Sequence, residues 1–294
     1  METIPISWSV HLELDDLALS KFLVDLSDAG GRRLALTGRA MEQMLEHPEL
    51  EDELRRQLAH CGLELFDAHA PHRPGQNIGG VSSRQSEAVA LQRQVIELAG
   101  RLGIRTLTMH IAVPNIRDTD HRTAMLQAQR RVEAALDALL PVASRCGVVI
   151  ALENRCHPAA TCRQLIQYME SFASPSLGIC YDTGHAHILS CAARSPHLKI
   201  SPHILSAWAG TKIDDDADNC ELVLPHLVTV NLHDNNGCED QHLLPGRGTI
   251  DWQKLLRSFD NAPRLLSRQC KADPAEFSSD PAIGLRYFFS FGMA

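Results

Sequence analysis

Short apolar runs alternate along this chain with longer stretches in which apolar residues recur every three or four positions, a pattern of strands followed by helices. Residues 4–10 (IPISWSV) read as a first strand, and residues 17–26 as a helix ended by Gly30 and Gly31. Residues 32–36 form a second short strand. Leu54 and Leu58 fit a helix running to Cys61 and stopped at Gly62, before a third strand over 63–68. The unit then repeats. Ala88, Leu91, Val95, Leu98 and Leu102 recur at helical spacing up to Gly103, and residues 106–109 follow as strand four. Val132, Leu136, Leu139, Leu140 and Ala143 make the next stripe, capped by Gly147, and residues 148–152 are strand five. Leu165, Ile166 and Met169 belong to a helix before strand six, which opens the stretch GICYDTGHAHI from Gly178 to Ile188. Residues 190–220, with their prolines and the acidic run Asp214, Asp215 and Asp216, show no clear period. Residues 227–232 are strand seven, 251–256 begin a helix, and 264–270 are strand eight, before a closing segment containing Tyr287, Phe288, Phe289 and Phe291.

Strands that are apolar throughout, rather than alternating, are covered on both faces and therefore parallel. Eight strand-helix units predict a (β/α)8 barrel, an α/β TIM barrel formed as one domain over residues 1–294, with a doubly wound open sheet as the competing arrangement. A chain of this length that is 44% hydrophobic can fill such a core.

Charge and composition narrow the partners. Against 28 Lys and Arg stand 36 Asp and Glu, a net charge of -8, so the overall field repels nucleic acid. No apolar run approaches the roughly 20 residues of a membrane span, and METIPISWSV lacks the basic start and apolar core of a signal peptide. Nine scattered cysteines without a CxxC pair suit reduced thiols, and the expectation is a cytoplasmic protein. Fifteen histidines are the unusual feature, because neutral imidazole is the commonest metal ligand.

Polar residues stand where the strands end: His69 after strand three, His110 after four, Glu153 after five, Asp182 and His185 after six, and His233 with Asp234 after seven. In a barrel these exits ring one mouth. Asp240 and His242 are two apart in the following loop and, if extended, face the same way and can hold one ion. Each residue alone has an ordinary explanation. Asp182 could cap the next turn and His185 could sit on the surface; in the site reading, Gly184 supplies the permissive backbone that lets the chain fold away sharply without moving the two apart. The coincidence at successive exits is what argues for a site, and the mixture of imidazole and carboxylate suits zinc, manganese or cobalt. His11, His47, His60, His121, His197 and His203 are given no role.

Three blocks carry a resemblance: LENR around Glu153, CYDTGHAHI around Asp182 and His185, and LHDNNGCEDQHLLPGRGTIDW from Leu232 to Trp252. Together they resemble the xylose isomerase-like barrel superfamily, which holds sugar isomerases and epimerases beside AP endonucleases of the endonuclease IV type. The endonuclease branch implies a first metal on His69, His110 and a bridging Glu153, and a third on His185, Asp240 and His242. A second would take Glu153, Asp182, a His three residues before the strand-seven Asp, and a strand-eight Glu. Here Asn231 stands three before Asp234, and NAPRLLSRQCKAD has no acid at that point of strand eight, where Ser267 aligns. His233 offers a substitute ligand, and Arg247 replaces the acid of a PGEG pattern.

The resemblance implies a divalent-metal isomerase or epimerase acting on a small carbohydrate-like substrate, with Glu153 removing the proton alpha to a carbonyl and His185 orienting a hydroxyl. A lyase that dehydrates a hydroxylated ring would use the same metal and base. The alternatives are an AP endonuclease, or a barrel whose degenerate metal site binds without turnover.

Overall fold

The computed structural model describes residues 6–10, 17–114, 120–195, 197–208, 211–214, 219–277 and 280–290. Its centre is a closed barrel of eight parallel strands, β1 to β8 in sequence order: Ile6–Val10, Arg33–Leu36, Glu64–His69, Thr106–Met109, Val149–Glu153, Leu177–Asp182, Leu227–Leu232 and Ser267–Cys270. β1 pairs with β8 through Ile6 and Arg268, Ser7 and Gln269, and Trp8 and Cys270. That closure rules out the open doubly wound sheet.

The helices are α1 (Leu17–Asp28), α2 (Gly38–Glu46), α3 (Glu49–Cys61), α4 (Ser82–Leu102), α5 (His121–Cys146), α6 (Cys162–Phe172), α7 (Thr183–Arg194), α8 (Pro202–Ser206), α9 (Cys220–Val223), α10 (Trp252–Phe259) and α11 (Pro281–Ser290). α5 shows why the periodic stripes fold as they do. Asp120 caps its start by accepting the Thr123 amide at 3.0 Å, nine apolar residues lie buried along one face, and Gly147 ends it at φ 68. α2 has no counterpart in the periodicity argument. Its inner face is built from Gly38, Ala40, Met41 and Met44, small or flexible residues that give a weak apolar signal, and Thr37 caps it through the Ala40 amide. β8 starts at Ser267 rather than 264, because the preceding residues turn and Arg264 reaches across to the carbonyls of Pro175 and Leu177. Of the acidic run at 214–216, only Asp214 falls within the described residues, and His11 and Phe291 lie outside them.

Side chains alternate along each strand between the barrel interior and the helical shell. Trp8 faces the shell and packs edge-on against Phe277 and Phe288, which cover the β1 side. Inside, the deep layer is polar. Asp67 on β3 accepts hydrogen bonds from Thr106 and, at 2.6 Å, from Ser267, whose hydroxyl also lies 2.7 Å from that of Thr229. Burial pushes the Asp67 carboxyl up from its ordinary value despite these donors. Above it, Gln269 donates to Thr108 and Thr229. Among the described residues no helix is long and apolar enough to cross a membrane.

Candidate functional site

The strand ends β3 to β8 surround a cavity of about 290 Å3, lined by Glu153, Asp182, Asn231, four histidines at 69, 72, 110 and 185, and His242, with Arg155 and Lys271 at its walls. Parallel register brings the exits level: His69 pairs with Thr108, Glu153 with Cys180, and Asp182 with Asn231. Asn154 then locks the β5 and β6 exits together, accepting the Asp182 amide at 2.6 Å and donating to its carbonyl at 3.1 Å.

On the β3 to β5 side, His69 Nε2 lies 3.1 Å from both His110 Nε2 and Glu153 Oε2, and His110 Nε2 lies 2.8 Å from the same carboxylate oxygen. Glu153 is almost wholly buried. Burial opposes its charge, but His110, His185 and His69 around it outweigh that cost and hold the carboxyl well below its ordinary value. Arg155 donates toward His110 Nε2 at 3.3 Å and stands 3.7 Å from Glu153. Burial and then Arg155 hold His110 well below an ordinary imidazole pKa.

The β6 exit gives both readings of Asp182 at once. Its Oδ1 caps α7 by accepting the His185 amide at 2.9 Å, and it also accepts from His233 Nε2 at 2.8 Å. His185 donates from Nδ1 to the Asn154 carbonyl at 3.0 Å and places Nε2 3.2 Å from Asp240. Burial works against its charge, yet Asp182, Asp240 and Glu153 raise its pKa well above the ordinary value. Gly184 does not serve as a turn: it is helical, and a Cβ there would overlap the His233 ring. Close approach, not backbone freedom, requires this glycine.

Asp240 and His242 do meet, with His242 Nε2 3.5 Å from Asp240 Oδ1, but not through strand geometry. His242 adopts φ 53 in a loop, and its Nδ1 donates to the Lys271 carbonyl at 2.6 Å. His233 stacks on His242 with ring centroids 4.0 Å apart and an interplanar angle of 6°. It is fully buried, does not line the cavity, and groups instead with Asp240 and His242. Asp234 turns inward to the loop, accepting from the amides of Asn235, Gly246 and Ile250 and from the Trp252 indole, which is why Gly248 must come so close and why the PGRGTIDW block has its form. Arg247 points to Glu276 at 3.2 Å, away from the cavity.

Strand eight requires a correction. Ser267 pairs with Thr229, one layer below the mouth, and is tied to Asp67. The residue level with Asn231 is Gln269, and Lys271 is the next on that face. On strand eight the residue level with Asn231 is therefore an amide, not the hydroxyl of Ser267, and the residue that reaches the cavity wall is Lys271. Lys271, His72, Arg155, Thr37 and Gly38 complete the wall without having been singled out as ligands or catalysts. The available signals were the alternation Ser267, Gln269, Lys271 and the short turn His69-Ala70-Pro71-His72.

Among the described residues, three groups of donors are close enough to share an ion: His69 with His72 and His110; Glu153 with Asp182 and His185; and His233 with Asp240 and His242. Their chemistry fits one. His69, His185 and His242 each donate Nδ1–H to a main-chain carbonyl, leaving Nε2 unprotonated or directed to the site, the orientation that ligating imidazoles take.

A family profile described as "Xylose isomerase-like TIM barrel" matches residues 26–263. An uncharacterized protein of Sinorhizobium fredii is 24% identical over 180 residues, 60% of this chain, and the chain spans only 49% of that relative's length. Among solved structures, a D-tagatose 3-epimerase-like protein superposes with TM-score 0.69 at 17% identity, covering 97% of this chain and 96% of its own. The apo 3-keto-D-glucoside 4-epimerase from E. coli gives 0.67 at 15% identity, covering 97% and 100%. At these identities the likeness concerns the fold.

Proposed function

The chain belongs to the xylose isomerase-like TIM barrel family, and we propose that it is a divalent-metal isomerase or epimerase that moves the proton alpha to the carbonyl of a small polyhydroxylated compound. The observation that carries this reading is the placement of Glu153, a buried, ionised carboxylate at the junction of donor groups in a cavity sized for a small molecule. That proteins of similar fold are a D-tagatose 3-epimerase-like protein and a 3-keto-D-glucoside 4-epimerase supports the same chemistry.

The ion's ligands would come from His69, His110, Glu153, Asp182, Asp240 and His242. When bound, a zinc, manganese or cobalt ion supplies polarisation of a carbonyl and its neighbouring hydroxyl. The chain's own residues do the rest. Glu153 accepts the alpha proton on a carboxylate oxygen. His185, charged by its carboxylate neighbours, donates to a substrate oxygen and fixes its position. Lys271, which follows β8 two residues beyond Gln269 and lines the cavity, returns a proton to the substrate. Asn231 Oδ1 is buried without a partner beside the cavity, an acceptor that a sugar hydroxyl satisfies; leaving such a group unpaired costs about 1–3 kcal/mol.

The test is exchange of substrate alpha protons with deuterium from solvent, followed by NMR over a panel of ketoses with the protein loaded in turn with zinc, manganese and cobalt. Exchange by the wild type that Glu153→Gln abolishes is expected. No exchange or isomerisation with any ketose and any of the three ions would overturn the proposal.

An abasic-site phosphodiesterase is the second reading, favoured by the approach of His185 and His242 to Asp240. Amides at Asn231 and Gln269 and the net charge of -8 oppose it. Metal-dependent nicking of an abasic duplex at physiological salt would reverse this ranking.

A further inference from the structure

His72 has no part in the donor sets that the resemblance implies, yet it closes the β3 to β5 side of the mouth. The geometry points to His72 as the third imidazole of a metal site with His69 and His110, leaving Glu153 beside the ion as a base rather than an obligatory ligand. This rests on the reading that a divalent ion occupies the mouth, and it says which residues hold it.

The three rings form a nearly equilateral triangle. Centroid separations are 4.7 Å for His69 and His72, 4.6 Å for His69 and His110, and 4.7 Å for His72 and His110. One ligand atom from each lies within 4.8 Å of the others. An ion with Zn–N distances of 2.0–2.1 Å and tetrahedral angles sets its donors about 3.3 Å apart. The Nε2 atoms of His69 and His110 stand 3.1 Å apart, so little movement is required of that pair.

A single carbonyl orients two of the rings. Ala70 O accepts Nδ1–H of His69 at 2.8 Å and lies 3.4 Å from Nδ1 of His72, an arrangement that directs the other ring nitrogen of each toward the common space. The turn carrying that carbonyl is itself held. A Cβ on Gly38 would come within 2.7 Å of Ala70 O and 2.9 Å of Pro71 Cα, so the start of α2 can pack there only as glycine. Gln92, fully buried, donates to Pro71 O at 3.0 Å and Gln76 O at 2.9 Å and pins the far side of the loop.

A plain aromatic cluster would not need both Nδ1 atoms close to one acceptor, nor the Nε2 atoms of His69 and His110 facing each other. Three neutral ligands leave the full charge of the ion available to a substrate oxygen, and the exposed side of His72 leaves a position open for it. Imidazole donors favour zinc or cobalt over magnesium or calcium.

The experiment is titration of the chelator-treated full-length protein with cobalt, read by its visible absorption, and with zinc in competition with a chromophoric chelator. His72→Gln is expected to weaken zinc at least about 100-fold, since loss of a ligand costs no less than loss of a group that orients one. Glu153→Gln is expected to keep zinc within about tenfold. His72→Cys is expected to bring in a thiolate-to-cobalt charge-transfer band in the near ultraviolet, a signal that requires contact with the ion and survives a change in affinity. Zinc binding by His72→Gln within about threefold of wild type, together with no such band in His72→Cys, would overturn the assignment. Loss of zinc from Glu153→Gln would overturn its second half. Both are read without substrate. A wild type that binds cobalt through position 72 but exchanges no alpha proton would sink the proposed reaction and leave this site standing.

Discussion

The two sides of the mouth use the same side chain in opposite states. Around β3 to β5, imidazoles are held neutral: burial and then Arg155 lower His110, burial and His69 lower His72 to about 4, and burial takes His157 to about 3. Around β6 and β7, burial again opposes charge, but carboxylates win, raising His185 and His242. Histidine is poised for either outcome, and the neighbours choose. Neutral rings can offer lone pairs to an ion. Charged rings must give up a proton before they can bind one and meanwhile hold carboxylates or donate to substrate, so the first side reads as the readier metal side and the second as the orienting side.

The largest expected effect breaks this division at its centre. Glu153→Gln should lower alpha-proton exchange on the order of 10^3 to 10^4-fold, the upper part of the usual range for a lost acid-base group, with the melting temperature as a control. If exchange persists near wild type, the chemistry belongs to the other side.

Acid should attack the neutral side first. His157 is buried, and its pKa falls from 6.5 to about 3 on folding, so between those values the unfolded chain binds more protons than the native one. Stability is therefore fully present above about pH 6.5 and is lost as pH falls toward 3. At about 1.4 kcal/mol for each pH unit between the two pKa values, this amounts to roughly 5 kcal/mol. Denaturant melts of wild type and His157→Asn across that window should converge at low pH, and parallel curves would show that His157 is not the group responsible.

On the orienting side, Gly184→Ala should destabilise the fold by about 1–3 kcal/mol, because overlap with His233 exceeds the helix-propensity gain of roughly 1 kcal/mol. A stability equal to or above wild type would mean that His233 can leave Asp182 cheaply.

The smallest effect sharpens the comparison. Asn231→His with Gln269→Glu should make the orienting side resemble the metal side and tighten manganese or cobalt about tenfold, an imidazole and a hard oxygen being added at level positions. The same exchange made at Ser267 instead of Gln269 should not tighten the ion, because that residue serves Asp67 a layer below. Calorimetric titration separates the two.

What the chain determined alone is what is local. Apolar periods, glycine stops and parallel-type strands suffice for an eightfold barrel, and a polar residue following each apolar run necessarily emerges at a strand exit, so Glu153, Asp182 and His185 could be named from their flanks. Sequence was blunter where small residues made the pattern, as in α2. What the tertiary structure decided depends on distances between segments far apart in the chain. The register of β7 against β8 sets Gln269, not Ser267, level with Asn231, because a shift of two residues keeps the same face but changes the layer. Packing of α7 under β7 gives Gly184 its reason, a left-handed His242 replaces the period of a strand, and the folding of one turn over the start of α2 carries His72 to His110, thirty-eight positions away by number and one ring away in space. Such juxtapositions follow from closure of the barrel and have no periodic trace, since each depends on which carbonyl, ring or missing Cβ another strand presents.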